Sequence, residues 1–199
     1  MRLLVATRNP GKLIEIRQLL ACHPVEVLSV DDFPGAPEVE EHEPTLEGNA
    51  LLKAEALFKA FGIPTLGDDT GLEVDALGGR PGVRSARYAG DEADPVANRR
   101  LLLHELDGVG LRAARFRCVI AYIDQAHRLT FHGVCDGEIL DSERGTGGFG
   151  YDALFRPAGF DRSFAELMSA EKNSVSHRGR ALRAFAGWLA ERTPDRDPA

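Results

Sequence analysis

Hydrophobic residues near the start of the chain predict a strand followed by a helix. Arg2–Ala6 is an apolar run of strand length, and Thr7–Gly11 has the Asn-Pro-Gly chemistry of a loop. From Lys12 to Ala21 apolar residues recur at helical spacing, with Glu15 on the opposite, polar side. The chain therefore opens with a buried strand that leads through a polar loop into an amphipathic helix.

A second amphipathic helix is predicted from Thr45, a suitable N-cap residue, to about Phe61. Its apolar stripe consists of Ala50, Ala54, Leu57, Phe58 and Phe61. Asn49 and Lys53 are four residues apart and flank this stripe, so both project from the same side of the helix. The preceding segment, residues 31–44, is rich in proline and acidic residues and is predicted to be an irregular loop.

Later segments add strands and helices that complete an α/β pattern. Arg115–Ile123 and Arg128–Cys135 predict two long strands joined by a tight turn, and apolar residues alternate along the first of them. Asp94 is expected to cap a third helix, and Ser176 a last helix that extends to about Trp188. No repeat, low-complexity block or linker interrupts the chain, so we predict one domain over residues 1–192 with a frayed tail over 193–199.

Charge and composition narrow the possible partners. The 24 basic and 31 acidic side chains give a net charge of −7, which argues against a nucleic-acid-binding surface. A small anionic substrate fits if a local basic cluster or a metal ion overrides the global repulsion. No apolar run approaches the roughly 20 residues of a membrane span, so no membrane partner is expected. The 3 cysteines form no disulfide framework, which favours a cytoplasmic location.

The loop after the first strand is a candidate anion site. Backbone N–H groups at the helix start, the side chains of Thr7 and Asn9, and Lys12 in the first turn could together bind a phosphate. An ordinary capped turn is the alternative, because no complete phosphate-loop motif is present. Lys53 and Lys172 lie in segments that could converge on the same place.

The acidic motif Asp68–Gly71 follows a short apolar strand. Ligand-binding groups of α/β sheets favour strand ends, although a solvated turn is an equal alternative. Successive strand side chains point to opposite faces, so Asp68 and Asp69 are expected to have different roles. One would face a metal ion or water, and the other would hold backbone or a lysine. The acidic segment Glu38–Glu43 could supply one more metal ligand, although most of its members are expected to be solvated.

Two later motifs carry candidate groups for recognising a base. Phe149 and Tyr151 stand beside glycines, so either ring could stack on a planar base, although packing in the core is the alternative. His177 and Arg178 project from the start of the helix capped by Ser176. They could donate to carbonyl or phosphate oxygens, and an exposed cationic first turn is the alternative.

Taken together, these motifs resemble the Ham1/ITPase-like family of noncanonical purine nucleoside triphosphate pyrophosphatases. The matching segments are Thr7–Lys12, Asn49–Ala54, Asp68–Leu72, Leu77–Gly82, Ser85–Tyr88, Gly147–Asp152, Glu171–Lys172 and Ser176–Arg178. They occur in family order over nearly the whole chain. In two departures, Thr70 stands where many members have Ser, and Gly48 where some have Glu.

The resemblance implies an α/β fold with a long central mixed β-sheet flanked by helices in two lobes, and a homodimer. It implies Mg²⁺-dependent hydrolysis of ITP, dITP and XTP to the monophosphate and pyrophosphate. It makes Asp69 the proton acceptor and a metal ligand, with Glu40 preferred to Glu41 as the second ligand. The implied substrate-binding residues are Thr7, Arg8, Asn9, Pro10, Gly11, Lys12, Lys53, Thr70, Phe149, Gly150, Tyr151, Asp152, Lys172, His177 and Arg178.

Two other functions are compatible with the residues. A Maf-like pyrophosphatase would act on modified pyrimidine or standard nucleotides instead. A nucleotide-sensing module would bind without turnover, but the Asp68-Asp69 pair argues against it, because a mere phosphate binder would avoid carboxylates beside its ligand unless they held a metal.

Overall fold

A computed structural model describes residues 1–192, so the tail predicted over residues 193–199 lies outside the described part. In this part the α-helices α1 to α5 are Pro10–Leu20, Leu46–Phe61, Pro95–Glu105, Ser169–Val175 and His177–Ala190. The strands β1 to β7 are Arg2–Ala6, Glu26–Ser29, Thr65–Val74, Pro81–Gly82, Ala113–Ile123, Arg128–Ile139 and Phe155–Pro157. No helix within residues 1–192 is both long and apolar enough to cross a membrane.

The loop between β1 and α1 fixes where the first helix starts. The Asn9 side-chain oxygen accepts a hydrogen bond from the Lys12 backbone N–H at 3.1 Å, and Pro10 occupies the first turn. Proline is suited to this position because its missing N–H would have no intrahelical partner. One expectation for this helix is wrong: Glu15, assigned to the polar side, is buried together with Ile16 and Leu20.

Helix α2 confirms its predicted boundaries. The Thr45 hydroxyl accepts from the Gly48 N–H at 3.0 Å, and the helix ends at Gly62 with a left-handed φ of 65°. Asn49 and Lys53 are buried rather than placed at the edge of the apolar stripe. A lysine buried this deeply requires a carboxylate partner, and the neighbouring strand β3 supplies one.

The central sheet is mixed, as predicted. Its strand order is β2-β1-β3-β5-β6-β7, and β4 pairs with the far part of β3. β1 is parallel to both of its neighbours, and the other pairings are antiparallel. The predicted hairpin is present, with β5 and β6 paired from Ala113↔Glu138 to Ile123↔Arg128, so β6 continues past the predicted end at Cys135.

The acidic motif lies inside β3, not at its end, which corrects the prediction. β3 runs on to Val74 because β5 pairs with it along its whole length. On its other edge, β1 pairs with β3 only as far as Ala6↔Gly67. Asp68 therefore lies just beyond the carboxyl end of β1, so the expected strand-end position is supplied by the neighbouring strand.

Two apolar clusters lie along the long strands on one face of the sheet. The first contains Leu66 and Ile120 and is covered by α1 and α5. The second contains Leu72 and Phe116 and lies farther along the same two strands. On the opposite face, α2 packs against β5 around Val119. The two clusters correspond to the two lobes that the resemblance implied, and β3 and β5 run through both.

Candidate active site

A cavity of about 600 Å³ opens at the carboxyl end of β1. The predicted site residues in its wall are Thr7, Arg8, Asn9, Lys12, Lys53, Asp69, Thr70, Phe149, Gly150, Tyr151, Asp152, Lys172, His177 and Arg178. Pro10, Gly11 and Glu40 are not lining residues, whereas Glu41 is. We call the region around Asp69, Glu41 and Lys53 the acidic end, and the region around Phe149, Lys172 and Arg178 the aromatic end.

The two consecutive aspartates point to opposite faces of β3, as their strand position predicts. Asp68 points toward α1 and α5, where its carboxylate lies 2.6 Å from Lys12 Nζ and 2.6 Å from Arg178 Nε. Asp69 points toward α2, where its Oδ1 accepts from Lys53 Nζ at 2.8 Å. The two carboxylates therefore belong to different sets of contacts, although they are adjacent in the chain.

The acidic end holds a carboxylate oxygen that is ready for a ligand. Asp69 Oδ2 is buried and has no hydrogen-bond partner within residues 1–192. Burial raises the pKa of Asp69 above its ordinary value and Glu41 adds to this, while Lys53 and Lys12 act against it. A raised pKa suits a carboxylate that accepts a proton during a reaction.

The second carboxylate at this end is Glu41, which lines the cavity, whereas the preference for Glu40 as a metal ligand stays a prediction. Glu41 Oε1 accepts from Lys53 Nζ at 2.8 Å, whereas Glu40 is exposed outside the cavity wall. Burial opposes ionisation of Glu41, but Lys53 outweighs it and lowers the pKa. The loop is held by Arg87, which donates to the Glu41 carbonyl at 3.0 Å, and by Asn49, whose side chain bonds the Glu43 backbone.

The loop at the start of α1 contributes unequally to the cavity. The Thr7 hydroxyl accepts from the Asn9 N–H at 3.2 Å, which shapes the turn. Arg8 is exposed and pairs with Asp31 at 2.9 Å. Gly11 lies behind the wall, where a Cβ would collide with the ring of Phe149. Gly11 thus lets the backbone of α1 pack closely against the aromatic ring, and the predicted substrate contact at Gly11 stays a prediction.

The aromatic end is organised around Phe149. Lys172 Nζ lies 4.9 Å and Arg178 Cζ 5.7 Å from the centre of its ring, within the range of cation–π attraction. The Phe149 N–H donates to Asp152 Oδ2 at 2.8 Å, which fixes the loop. Tyr151 is buried and its hydroxyl donates to the Ser85 carbonyl at 2.8 Å, so Tyr151 anchors the loop and Phe149 is the ring available for stacking.

His177 is a neutral imidazole in a hydrophobic setting. It is buried and stacks on Phe116, with 4.6 Å between the ring centres. Burial, reinforced by the nearby Arg178 and Lys172, holds the pKa of His177 well below its ordinary value. Its Nδ1 has no hydrogen-bond partner in the described part of the chain, so this nitrogen is available to a polar ligand atom.

Glu15 is a buried partner of two cavity-lining cations, and sequence reasoning missed it. Its Oε1 accepts from Lys172 Nζ at 2.7 Å and its Oε2 from Arg178 NH1 at 2.5 Å. Burial opposes ionisation, but these two cations outweigh it and lower the pKa of Glu15. One signal was present in the sequence: several cations expected to share one cavity need a similar number of carboxylates nearby.

The donor set at the acidic end fits Mg²⁺. Magnesium is bound through one or two carboxylates with water and substrate phosphates completing its shell. Asp69 offers an oxygen without a partner and Glu41 lies on the other side of the shared Lys53 ammonium. Residues 1–192 hold no group of three or more His, Cys, Asp or Glu side chains suited to a metal ion. A dedicated protein cage is therefore not formed by these residues, and two carboxylates are the number that Mg²⁺ commonly uses when water and substrate phosphates complete its shell.

The fold and the cavity together define an α/β protein whose ligand cleft lies at the carboxyl end of its first strand. The Ham1 family model matches residues 3–188. The chain belongs to the Ham1 family. The fold predicted from the resemblance is confirmed at the same time.

Relatives and solved structures agree with this assignment. The chain is 52% identical over 193 residues to the dITP/XTP pyrophosphatase of Geobacter sulfurreducens, covering 94% of this chain and 97% of that protein. It is 45% identical to the dITP/XTP pyrophosphatase of Christiangramia forsetii, covering 96% and 100%. The Staphylococcus aureus Ham1 protein superposes with a TM-score of 0.87 at 35% identity, covering 97% of this chain and 100% of that one.

Proposed function

We propose that this chain hydrolyses noncanonical purine nucleoside triphosphates, namely ITP, dITP and XTP, to the nucleoside monophosphate and pyrophosphate. The observation that carries the proposal is the unpartnered Asp69 Oδ2, held beside Lys53 in the cavity that also contains the aromatic end. A carboxylate oxygen able to accept a proton and a ring able to stack on a base therefore line the same cleft, which supports the proposal. The activity agrees with the family and with the names of the relatives.

We propose that the activity requires Mg²⁺, held by Asp69 and Glu41. The buried and half-buried charges that pair with one another around the cavity are the carboxylates Glu15, Glu41, Asp68, Asp69 and Asp152 and the cations Lys12, Lys53, Lys172 and Arg178. Their sum is −1 with His177 neutral, so a triphosphate would meet net repulsion in the absence of a divalent cation. Bound Mg²⁺ would neutralise phosphate charge and lower the pKa of a coordinated water.

The chemical step follows from the contacts at the acidic end. Asp69 Oδ2 accepts a proton from water as the water oxygen forms a bond to the α-phosphorus. The bond between the α-phosphorus and the α–β bridging oxygen breaks, and pyrophosphate leaves. Lys53 and Lys12 stabilise the charge that builds on the departing oxygens. Catalysis rests on positioning and charge neutralisation, because no covalent intermediate is needed.

Selection of the base is assigned to the aromatic end. Phe149 stacks on the purine, and Arg178 or His177 meets the O6 position. Arg178 can only donate, so it would donate to the O6 of hypoxanthine and xanthine but oppose the N6 amine of adenine. Discrimination against ATP then arises from a buried donor left without a partner.

A nucleotide panel with separate detection of pyrophosphate and orthophosphate tests the proposal. Pyrophosphate from ITP, dITP and XTP, with ATP much slower and no reaction in EDTA, is the expected result. Orthophosphate without pyrophosphate would exclude the reaction class. Faster turnover of UTP or dTTP than ITP would favour a Maf-like activity, and saturable ITP binding without product would favour a sensing module.

Two further expectations rest on the family resemblance. We propose that the protein is a homodimer and that it acts in the cytoplasm. The free cysteines Cys22, Cys118 and Cys135 support a reducing compartment. Sedimentation equilibrium and cell fractionation would test the two statements separately.

A further inference from the structure

A series of alternating charges runs along the cavity wall from the aromatic end to Lys12 at the start of α1, and two of its members, Glu15 and Asp68, lie behind that wall. The links are Asp152–Lys172 at 2.6 Å, Lys172–Glu15 at 2.7 Å, Glu15–Arg178 at 2.5 Å, Arg178–Asp68 at 2.6 Å and Asp68–Lys12 at 2.6 Å. Its members come from five separate stretches of the sequence. Because neighbouring ion pairs in this series share a residue, a change in one contact can alter the strength of the next.

Asp68 is the junction of this series. Its side chain is 0% exposed and does not line the cavity, so it has no access to a ligand. Its Oδ1 is shared by Lys12 Nζ at 2.6 Å and Arg178 NH2 at 3.3 Å, and its Oδ2 accepts from Arg178 Nε at 2.6 Å. Two cations that reach the cavity from different sides therefore compete for one carboxylate.

Glu15 repeats this arrangement one link away. Its two oxygens accept from Lys172 and Arg178, the two cations closest to the Phe149 ring. A base oxygen that drew Arg178 NH1 away from Glu15 would leave Asp68 as the carboxylate that Arg178 still contacts through Nε and NH2. In a water-poor interior, closer pairing of Arg178 with Asp68 would weaken the competing contact between Asp68 and Lys12.

We propose that Asp68 and Glu15 are positioning residues that couple occupation of the aromatic end to the phosphate affinity of Lys12. The proposal rests on the proposed function for the identity of the ligands at the two ends. A base that satisfies Arg178 leaves Lys12 free to bind the phosphate chain. A base that does not satisfy it leaves Lys12 paired with Asp68. Through these ion pairs, the base bound at the aromatic end influences how tightly Lys12 binds the triphosphate.

Equilibrium binding tests the coupling without any turnover. Calorimetry would measure the affinity of Mg²⁺-pyrophosphate with and without saturating inosine, which carries no phosphate. In the wild-type protein we expect inosine to tighten pyrophosphate binding by about tenfold, within the usual range for coupled sites. The quantity compared is the ratio of the pyrophosphate affinities with and without inosine, measured in the same variant. A loss of affinity that is equal in both conditions therefore cancels out.

The variants interrupt the series of ion pairs at different residues. Asp68→Asn and Glu15→Gln keep the shape of each side chain and remove its charge, and in both we expect the ratio to fall to about one. The matched control is Glu105→Gln, whose ion pair with Arg80 lies away from the cavity and whose ratio should equal that of the wild type. Glu15→Gln also keeps the test valid if Asp68→Asn does not fold.

The outcomes separate the coupling from the reaction. A ratio of one in the wild-type protein, or a tenfold ratio retained in both variants, would overturn the inference. The absence of pyrophosphate release from ITP would overturn the proposed function, whatever the binding ratio. As a second readout, Glu15→Gln should lower kcat for ITP as well as raise KM, because a residue that only shaped the aromatic end would change KM alone.

Discussion

The acidic end and the aromatic end of the cavity use similar charges in opposite ways. At the acidic end, Lys53 is shared by two carboxylates and Asp69 Oδ2 is left without a partner among the described residues. At the aromatic end, the ammonium of Lys172 is closely paired with two carboxylates. An unsatisfied carboxylate oxygen is costly and is kept where chemistry needs it, whereas the close pairing of Lys172 gives a rigid shape for recognition.

The largest effect is expected from Asp69→Asn. Loss of the proton acceptor should reduce kcat for ITP by about 10²–10⁴-fold, the usual contribution of a general base. The melting temperature should stay the same or rise, because burial already disfavours the ionised carboxylate. Steady-state kinetics and calorimetric melting check both points. Asp69→Asn with undiminished kcat would remove Asp69 from the mechanism.

Replacing Lys172 should lower the free energy of unfolding more than replacing Lys53 does. Lys172→Met leaves Glu15 and Asp152 without their shared cation and should lower the free energy of unfolding by about 3–5 kcal/mol. Lys53→Met should cost less than half of that, because the Glu41 side chain is 28% exposed and can be hydrated, whereas Glu15 and Asp152 are only 11% and 6% exposed. Urea unfolding of both variants measures the difference, and equal losses would contradict the contrast between the ends.

A smaller effect is expected from Phe149→Ala. Loss of the stacking ring should raise KM for ITP by about tenfold, since one stacked base contributes roughly 1–3 kcal/mol. The kcat value should change less, because the ring lies away from Asp69. Phe160→Ala is the control. The Phe160 ring is not a lining residue of the cavity and packs against the second apolar cluster, so the KM of this variant should match that of the wild type.

The smallest effect concerns the protonation of Asp69. Its pKa is raised, so the proton-accepting form is lost as pH falls, and this loss begins above the ordinary value of about 3.9. Glu41→Gln removes a neighbouring negative charge and should move the Asp69 pKa downward. Carbon NMR titration of the metal-free protein measures it. Glu43→Gln, in the same loop, should leave it unchanged, and an upward move in Glu41→Gln would contradict the assigned cause.

The success of sequence reasoning differed between these regions for physical reasons. The opposite orientation of Asp68 and Asp69 followed from the two-residue period of a strand. The choice between Glu40 and Glu41 did not, because the loop at residues 31–44 has no period and its side-chain directions are set by Arg87 and Asn49.

Tertiary contacts also determine the burial of Glu15 and the end of β3, which the sequence pattern predicted incorrectly. Helical spacing placed Glu15 on a polar face, but Lys172 and Arg178, from distant segments, bury that face. The end of β3 was predicted at the acidic motif, yet pairing with β5 carries it on to Val74. Local patterns predict an element well, and its exact partners depend on the rest of the chain.

The sharing of β3 and β5 by both apolar clusters has a mechanical consequence. Each strand enters one cluster and leaves through the other without a break, so along β3 and β5 no irregular backbone that could act as a hinge lies beneath the cleft. Neither lobe is expected to fold without the other, because each contains parts of β3 and β5 and these strands continue into the other lobe. Thermal melting should therefore be a single transition, and closure around a ligand should come from loops and side chains rather than from rotation of one lobe against the other.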